Sequence, residues 1–281
     1  MQVFFVCGAP KSGTTWIQRM LDAHPQVCCS GEGHFIEKFT VPMADVVRNY
    51  NAQMAVVGRN VYESKPYYPE LNQADFDELA RAFILSRLKL RVSDPGVRAV
   101  GDKTPRYALY LRQLSRLFPE ARFIEIVRDP RDVAVSRLHH AGRVGVKEAL
   151  VAGSERRAEQ IRVTCEDWTR CVRAVADFAA QHPQQIVSVR YADALGAPHE
   201  VARRLFGFLG VDTDPALLSQ VVETTSFAAQ TGRAAGTEDV NAFMRKGVAG
   251  DWKRMLQPAE AATIEAACGD LMALHGVERA A

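Results

Sequence analysis

An α/β fold, with a central parallel sheet covered by helices on both faces, is what this chain predicts. Three observations carry that expectation. Short apolar segments at 3–6, 97–101, 122–127 and 185–189 have the length of buried strands, and each is followed by helical periodicity. The first runs into a Gly-rich turn that opens a helix. The 281 residues, 47% of them hydrophobic, suffice for a large core, and no stretch rich in Pro, Gly and Ser has a linker's length. One domain over residues 1–281 is expected.

Val3 to Val6 reads as a buried strand, Gly8 and Gly13 permit a tight turn, and a helix starts near Thr14. The free N–H groups of that helix and the positive end of its dipole face the loop, so an anion belongs there. The nucleotide-kinase loop G-x-x-x-x-G-K-[ST] has its lysine after the second glycine, whereas here Thr14 follows Gly13 and the lysine is Lys11, inside the loop. The region from Phe35 to Pro95 fits the strand-helix alternation poorly. It carries Phe35, Phe39, Tyr50, Tyr62, Tyr67, Tyr68 and Phe76 among scattered prolines, and is read as helices and loops that bind an acceptor. After the second strand, Thr104-Pro105 caps a helix running towards Phe118, which Leu-Phe-Pro then breaks.

Arg128 ends the third strand and precedes Asp129-Pro130, a capping residue followed by a proline suited to the first helical turn. It therefore sits at a strand's carboxyl edge, where open α/β sheets bind ligands and a guanidinium can grip a phosphate while Ser136 adds a hydroxyl. Residues 139–155 read as a mobile loop beside that site, and Ile161, Cys165, Trp168, Val172 and Val175 mark the buried face of a helix. Near the end, Gly247, Gly250 and Trp252 around Arg245-Lys246 argue for a basic loop that folds against something.

Pro-Lys-Ser-Gly-Thr-Thr-Trp at 10–16 resembles the 5′-phosphosulfate loop of sulfotransferases that use 3′-phosphoadenosine-5′-phosphosulfate (PAPS). The segment Phe123 to Ser136 is similar to that family's 3′-phosphate site, and Phe243 to Lys253 to its C-terminal Arg-Lys-Gly…Gly-Asp-Trp loop. Val189 to Asp193, which holds Tyr191, and Thr225-Ser226-Phe227 resemble further family segments, the latter one that contacts adenine. The matches follow the family's order from residue 3 to 253. The resemblance implies a P-loop-like three-layer α/β/α fold with helical insertions around the acceptor site. It assigns Lys11, Ser12, Gly13, Thr14 and Thr15 to the 5′-phosphosulfate, and Arg128, Ser136, Arg245, Lys246 and Gly247 to the 3′-phosphate. Trp16 lies near the nucleotide or packs its helix, and the resemblance favours adenine stacking together with Phe227.

Sulfuryl transfer passes a trigonal group in line between two oxygens, and its charge can be neutralised by lysines and backbone N–H groups, so no metal is called for. Lys11 is assigned to the bridging and leaving oxygens. Cytosolic members of the family carry Lys-Thr-His, with the histidine as base; here the stretch is Lys103-Thr104-Pro105, and a proline cannot take a proton. Gly31-Glu32-Gly33-His34 looks like the Gly-Glu segment of the protein-tyrosine and carbohydrate sulfotransferase branches. Glu32 is therefore the expected base, with burial raising its pKa and Lys11 and Lys103 opposing that. His34 is the second choice, and His139 and His140 are further alternatives.

A formal charge of +2 with interleaved acids and bases gives no nucleic-acid surface. The six cysteines show no zinc spacing and read as free thiols, Cys28-Cys29 as small buried residues. The apolar start is too short for a signal peptide, lacks a charged leader and runs into the loop, and no segment has the length of a membrane span, so a cytoplasmic location is expected. The partner is a hydroxyl- or phenol-bearing acceptor with an apolar or aromatic body, and a homodimer is compatible with the chain. The rival readings are an ATP-dependent kinase and a non-catalytic module that binds 3′-phosphoadenosine nucleotides.

Overall fold

The computed structural model describes residues 1–65 and 68–279. Tyr67, one of the aromatics assigned to the acceptor region, lies outside them. Five strands, β1 Gln2–Gly8, β2 Val27–Gly31, β3 Ala99–Lys103, β4 Arg122–Val127 and β5 Ile186–Arg190, form one sheet in the order β2-β3-β1-β4-β5. Every pairing is parallel. After β1 the chain builds outwards to β2 and back to β3, then crosses β1 to add β4 and β5. The carboxyl ends of β1 and β4 therefore flank the point where the direction of winding reverses, the place where such sheets open a ligand crevice.

Alternation along β1 divides the core. Val3, Phe5 and Cys7 face one buried cluster with the helices Pro130–Arg143, Glu155–Gln181 and Pro258–Leu274, while Phe4 and Val6 face a second with Thr14–Asp22, Pro198–Leu209 and Pro215–Thr224. These are the three layers of the α/β/α fold. Helix starts are built from the expected chemistry: the Asp129 carboxylate accepts from the Arg131 N–H at 2.9 Å with Pro130 next to it, and Ser154 caps Glu155–Gln181. At the crossing of β1 and β4, a Cβ on Gly8 would lie 2.4 Å from the Ile126 carbonyl oxygen, so only glycine allows the two strands to meet there.

Several sequence expectations are refined. The edge strand β2 was not anticipated, because Val-Cys-Cys-Ser-Gly offers a single β-branched residue. The segment after Thr104-Pro105 is two pieces, a 3₁₀ turn Pro105–Leu109 and a helix Leu111–Leu117, divided at Tyr110. The stretch expected as a mobile loop from 139 begins as the last turns of Pro130–Arg143 and continues into a 3₁₀ turn, Lys147–Leu150, with Ala149 fully buried. Residues 35–95 contain a π-helical turn, Phe35–Thr40, and two helices, Val41–Val61 and Gln73–Leu88.

Glu125, in the middle of β4, is buried in this core, and its carboxyl accepts a hydrogen bond from the Ser188 hydroxyl at 2.5 Å. Burial pushes its pKa from an ordinary 4.5 up to about 7, the Ser188 bond opposing the rise. The fold thus prefers the protonated acid. Glu125 contributes stability fully below its unfolded value, and that contribution is lost as pH rises through about 7. Denaturant unfolding of Glu125→Gln beside the parent should show their stability difference moving by about 3 kcal/mol in the variant's favour over that window. A difference independent of pH would contradict the assignment.

Candidate active site

The loop from Ala9 to Gly13 leaves β1 and enters the helix Thr14–Asp22 through a left-handed Gly13, with Lys11 also at positive φ. No side chain caps this helix, so its first-turn N–H groups point into the loop. Ser12 is fully buried beneath, and its hydroxyl has no hydrogen-bond partner. Tyr191 closes the floor: a Cβ on Gly13 would meet its ring at 2.6 Å, and the Arg128 guanidinium lies 4.4 Å above the centroid of the same ring. Arg128 donates to the Val248 carbonyl at 3.1 Å, while its buried Nε makes no hydrogen bond and lies 4.0 Å from the Asp132 carboxylate.

These groups line a cleft of about 210 Å³. All the nucleotide residues expected from sequence reach it except Ser12, which sits under the loop, and Ser226, whose hydroxyl accepts from the Ala229 N–H and caps the helix Phe227–Thr231. Trp16 donates from its indole N–H to the Thr225 carbonyl at 2.9 Å and meets Tyr191 edge to face, so it lines the cleft and packs its helix at once. Ser136 enters from the helix Pro130–Arg143. Orphaned buried donors, a glycine cradle and converging cations suit an anionic nucleotide.

The C-terminal loop forms the far wall. Buried Asp132 accepts from the Gly250 N–H at 2.7 Å and the Trp252 N–H at 3.1 Å, which pins the loop to the helix that carries Ser136. Gly247 rests on the face of Phe227, where a Cβ would lie 2.4 Å from the ring. Arg245 pairs with Glu238 and Asp251, and Lys246 with Asp251 at 2.6 Å. Burial pulls the Asp251 carboxyl up, but the bonds and charges of the two cations outweigh it and hold it below the ordinary range. Sequence reasoning aimed this basic pair at a phosphate and missed the carboxylate that holds it, although Asp251 lies in the same motif.

Glu32 and His34 stand beside the cleft, just past β2. Lys103, buried at the end of β3, donates to Glu32 Oε1 at 2.6 Å and to the Thr15 hydroxyl at 3.2 Å, and so joins the phosphate loop to the Gly-Glu turn. His34 Nε2 is 3.5 Å from Glu32 Oε2. Burial raises the Glu32 carboxyl, but its bond to Lys103, the Lys103 charge and His34 together bring it below its ordinary value. The opposing cations therefore win over desolvation. Lys11 is lowered to about 8, by burial first and then by Arg143 and Arg137. His139 and His140 sit on the helix Pro130–Arg143 and border a small recess that adjoins the cleft and shares Lys11, Ser136, Phe243 and Arg245 with it.

Both Glu32 and His34 have positive φ, an uncommon conformation for side chains with a Cβ. Asp102 supports it. This buried carboxylate accepts from the Gly33 N–H at 3.1 Å and the Thr104 hydroxyl at 2.9 Å, while the His34 and Phe35 N–H groups reach the Thr104 and Tyr107 hydroxyls. Asp102 and Tyr107 escaped the sequence reading; the only cue was a charged residue ending an apolar strand. Among the described residues, no group of three or more His, Cys, Asp or Glu side chains could hold a metal ion.

Residues 3–215 match the sulfotransferase family. The chain belongs to that family. It is 28% identical over 221 residues to a putative protein-tyrosine sulfotransferase of Caenorhabditis briggsae, covering 77% of this chain and 68% of the relative. Against protein-tyrosine sulfotransferase 1 of Danio rerio the identity is 25% over 218 residues, 78% of this chain but only 56% of the relative. Beyond the first of these, the chain spans between 32% and 64% of the length of the relatives it matches. The sulfotransferase domain from the curacin biosynthetic pathway superposes with a TM-score of 0.61 at 18% identity, covering 99% of both chains. Mouse sulfotransferase SULT7A1 complexed with PAP gives 0.57 at 19%, covering 97% of this chain and 85% of that one. At those identities the structures establish the sulfotransferase fold.

Removing Asp102 tests whether it holds the turn. Asp102→Ala should cost about 1–3 kcal/mol of unfolding free energy by leaving Gly33 without its acceptor. Amide exchange at Gly33 and His34 should quicken in the variant more than exchange along β3, and equal protection in both proteins would remove Asp102 from this role.

Proposed function

We propose that the protein transfers a sulfuryl group from PAPS to the hydroxyl of a phenol or alcohol. The observation that carries this reading is one cleft lined both by the Lys11 loop and by Arg128, Ser136, Arg245 and Lys246. That many cationic and hydroxyl groups suits a nucleotide with a 3′-phosphate, which ordinary adenine nucleotides lack. A kinase reading is disfavoured because Thr14 stands where its loop lysine would be, and the Glu32–Lys103 pair beside the loop has no purpose in a module that only binds.

PAPS carries the sulfuryl group as a phosphosulfate, from which the 5′-phosphate is the leaving group. Lys11 neutralises charge that grows on the leaving oxygen, and the first-turn N–H groups with the hydroxyls of Thr14 and Thr15 hold the 5′-phosphate. Lys103 fixes Glu32 next to this loop while Glu32 takes the acceptor's proton. A carboxylate whose pKa is held low is a weak base, so it serves a phenol better than an aliphatic alcohol. The names of the relatives, protein-tyrosine sulfotransferases, support the same class of acceptor.

Cleft residues run from Pro10 to Val248, which supports one functional domain over the whole chain. All six cysteines are buried free thiols, a state that supports a reducing, cytoplasmic setting. Among the described residues no helix is long and apolar enough to cross a membrane.

The nucleotide assignment is checked by calorimetry. Adenosine 3′,5′-bisphosphate should bind more tightly than AMP or ADP, and Arg128→Ala should weaken it about tenfold or more by removing a charge-assisted contact. Equal affinity with and without the 3′-phosphate would refute the site.

The base is read in kinetics with PAPS. Glu32→Gln should lower kcat roughly 10²- to 10⁴-fold on an alcohol and much less on an acidic phenol that is already ionised, with nucleotide affinity preserved. Retention of full activity on the alcohol would move the role to His34.

A further inference from the structure

The His34 imidazole bridges two carboxylates: Nε2 faces Glu32 Oε2 at 3.5 Å and Nδ1 faces Glu37 Oε2 at 3.3 Å. Glu37 belongs to the π-helical turn Phe35–Thr40 and is largely covered. A neutral imidazole carries one N–H and one lone pair, so between two acceptors it can donate to only one. Glu32 already receives a bond from the Lys103 ammonium at 2.6 Å, whereas among the described residues the partners of Glu37 are the neighbouring Tyr110 hydroxyl and His34 itself. Glu37 is also the nearer of the two. A hydrogen on Nδ1 satisfies Glu37 and leaves the Nε2 lone pair free to take a proton from the Glu32 carboxyl.

We propose that Glu37 is a positioning residue which, by holding the Nδ1–H tautomer of His34, makes His34 the second carrier of the proton that Glu32 takes from the acceptor. This rests on the sulfotransferase reading above. As the acceptor oxygen bonds to sulfur and the bridging sulfur–oxygen bond breaks, the hydroxyl proton moves to Glu32. It passes from Glu32 Oε2 to His34 Nε2, which leaves Glu32 anionic and an imidazolium between two carboxylates. His34 is about one-third exposed, so the proton then leaves to water and the electron pairs are restored. The groups around the ring are Glu32 on its own turn, Lys103 of β3 behind Glu32, Thr104 at its backbone, Glu37 on the π-helical turn, and Tyr110 beside Glu37, with the charges of Arg106 and Arg170 acting on Tyr110. Such a relay relieves the weakness of a base whose carboxylate is held low, because the proton need not stay on it.

Two readouts test this on the full chain. Imidazole ¹⁵N NMR above the titration range, with the His34 signals identified by their loss in His34→Asn, should show the Nδ1–H form in the parent protein. Glu37→Ala should shift it to Nε2–H or a mixture, whereas Glu37→Gln, whose amide oxygen still accepts, should keep it. Turnover of an alcohol acceptor with PAPS should fall about tenfold in Glu37→Ala and largely recover in Glu37→Gln, with no loss on an ionised phenol. An Nε2–H form in the parent, or equal losses on both acceptors, overturns the proposal. If the parent binds no bisphosphorylated nucleotide and transfers nothing, the sulfotransferase reading fails, and the tautomer still reports separately on Glu37.

Discussion

Positive charge is concentrated at the carboxyl edge of the sheet, and the molecule is organised around keeping those cations apart from one another and correctly aimed. Lys11, Lys103, Arg128, Arg137, Arg143, Arg245 and Lys246 gather from several separate segments of the chain, and the strain shows in Lys11, whose ammonium is destabilised by burial and by Arg143 and Arg137. Buried carboxylates answer several of these groups locally. Asp251 holds Arg245 and Lys246, Asp132 lies 4.0 Å from Arg128, and Asp167 binds both Arg137 and Arg106. Most of these acids are nearly inaccessible, which lets them act over short range in a medium that screens little.

Sequence made the Lys11 loop and the lining of its cleft legible because their chemistry is local. A strand, two glycines, a lysine and a helix start within a dozen residues define an anion cradle, and Arg128-Asp129-Pro130 announces a strand end and a helix cap side by side. The residues that escaped act at long separation. Asp102 supports the turn at Gly33 across 69 positions, and Asp132 secures Gly250 across 118, so neither has a signature in its own neighbourhood. Strand β2 was hidden for a different reason: its Cys-Cys-Ser core has weak intrinsic preference, and it becomes a strand by pairing with β3.

The protonation of Glu32 illustrates how two readings of the same residue can diverge. A carboxyl between two glycines beside an apolar region suggests desolvation and a raised pKa, and burial does act in that sense. The short bond from Lys103 reverses the sum. That bond also joins β3, the phosphate loop and the Gly-Glu turn through a single ammonium, since Lys103 reaches Thr15 as well. The same lysine thus sets both the position and the basicity of the carboxylate, and the two properties cannot be tuned independently.

The grip of Asp251 on Arg245 and Lys246 has a consequence for traffic through the cleft. A phosphate arriving at that wall meets cations that already have a counter-ion, so its capture is an exchange of one anion for another. The gain is the difference between two strong attractions, and it is correspondingly small. On the proposed reading the 3′-phosphate is common to PAPS and to its desulfonated product, so this wall meets the two alike.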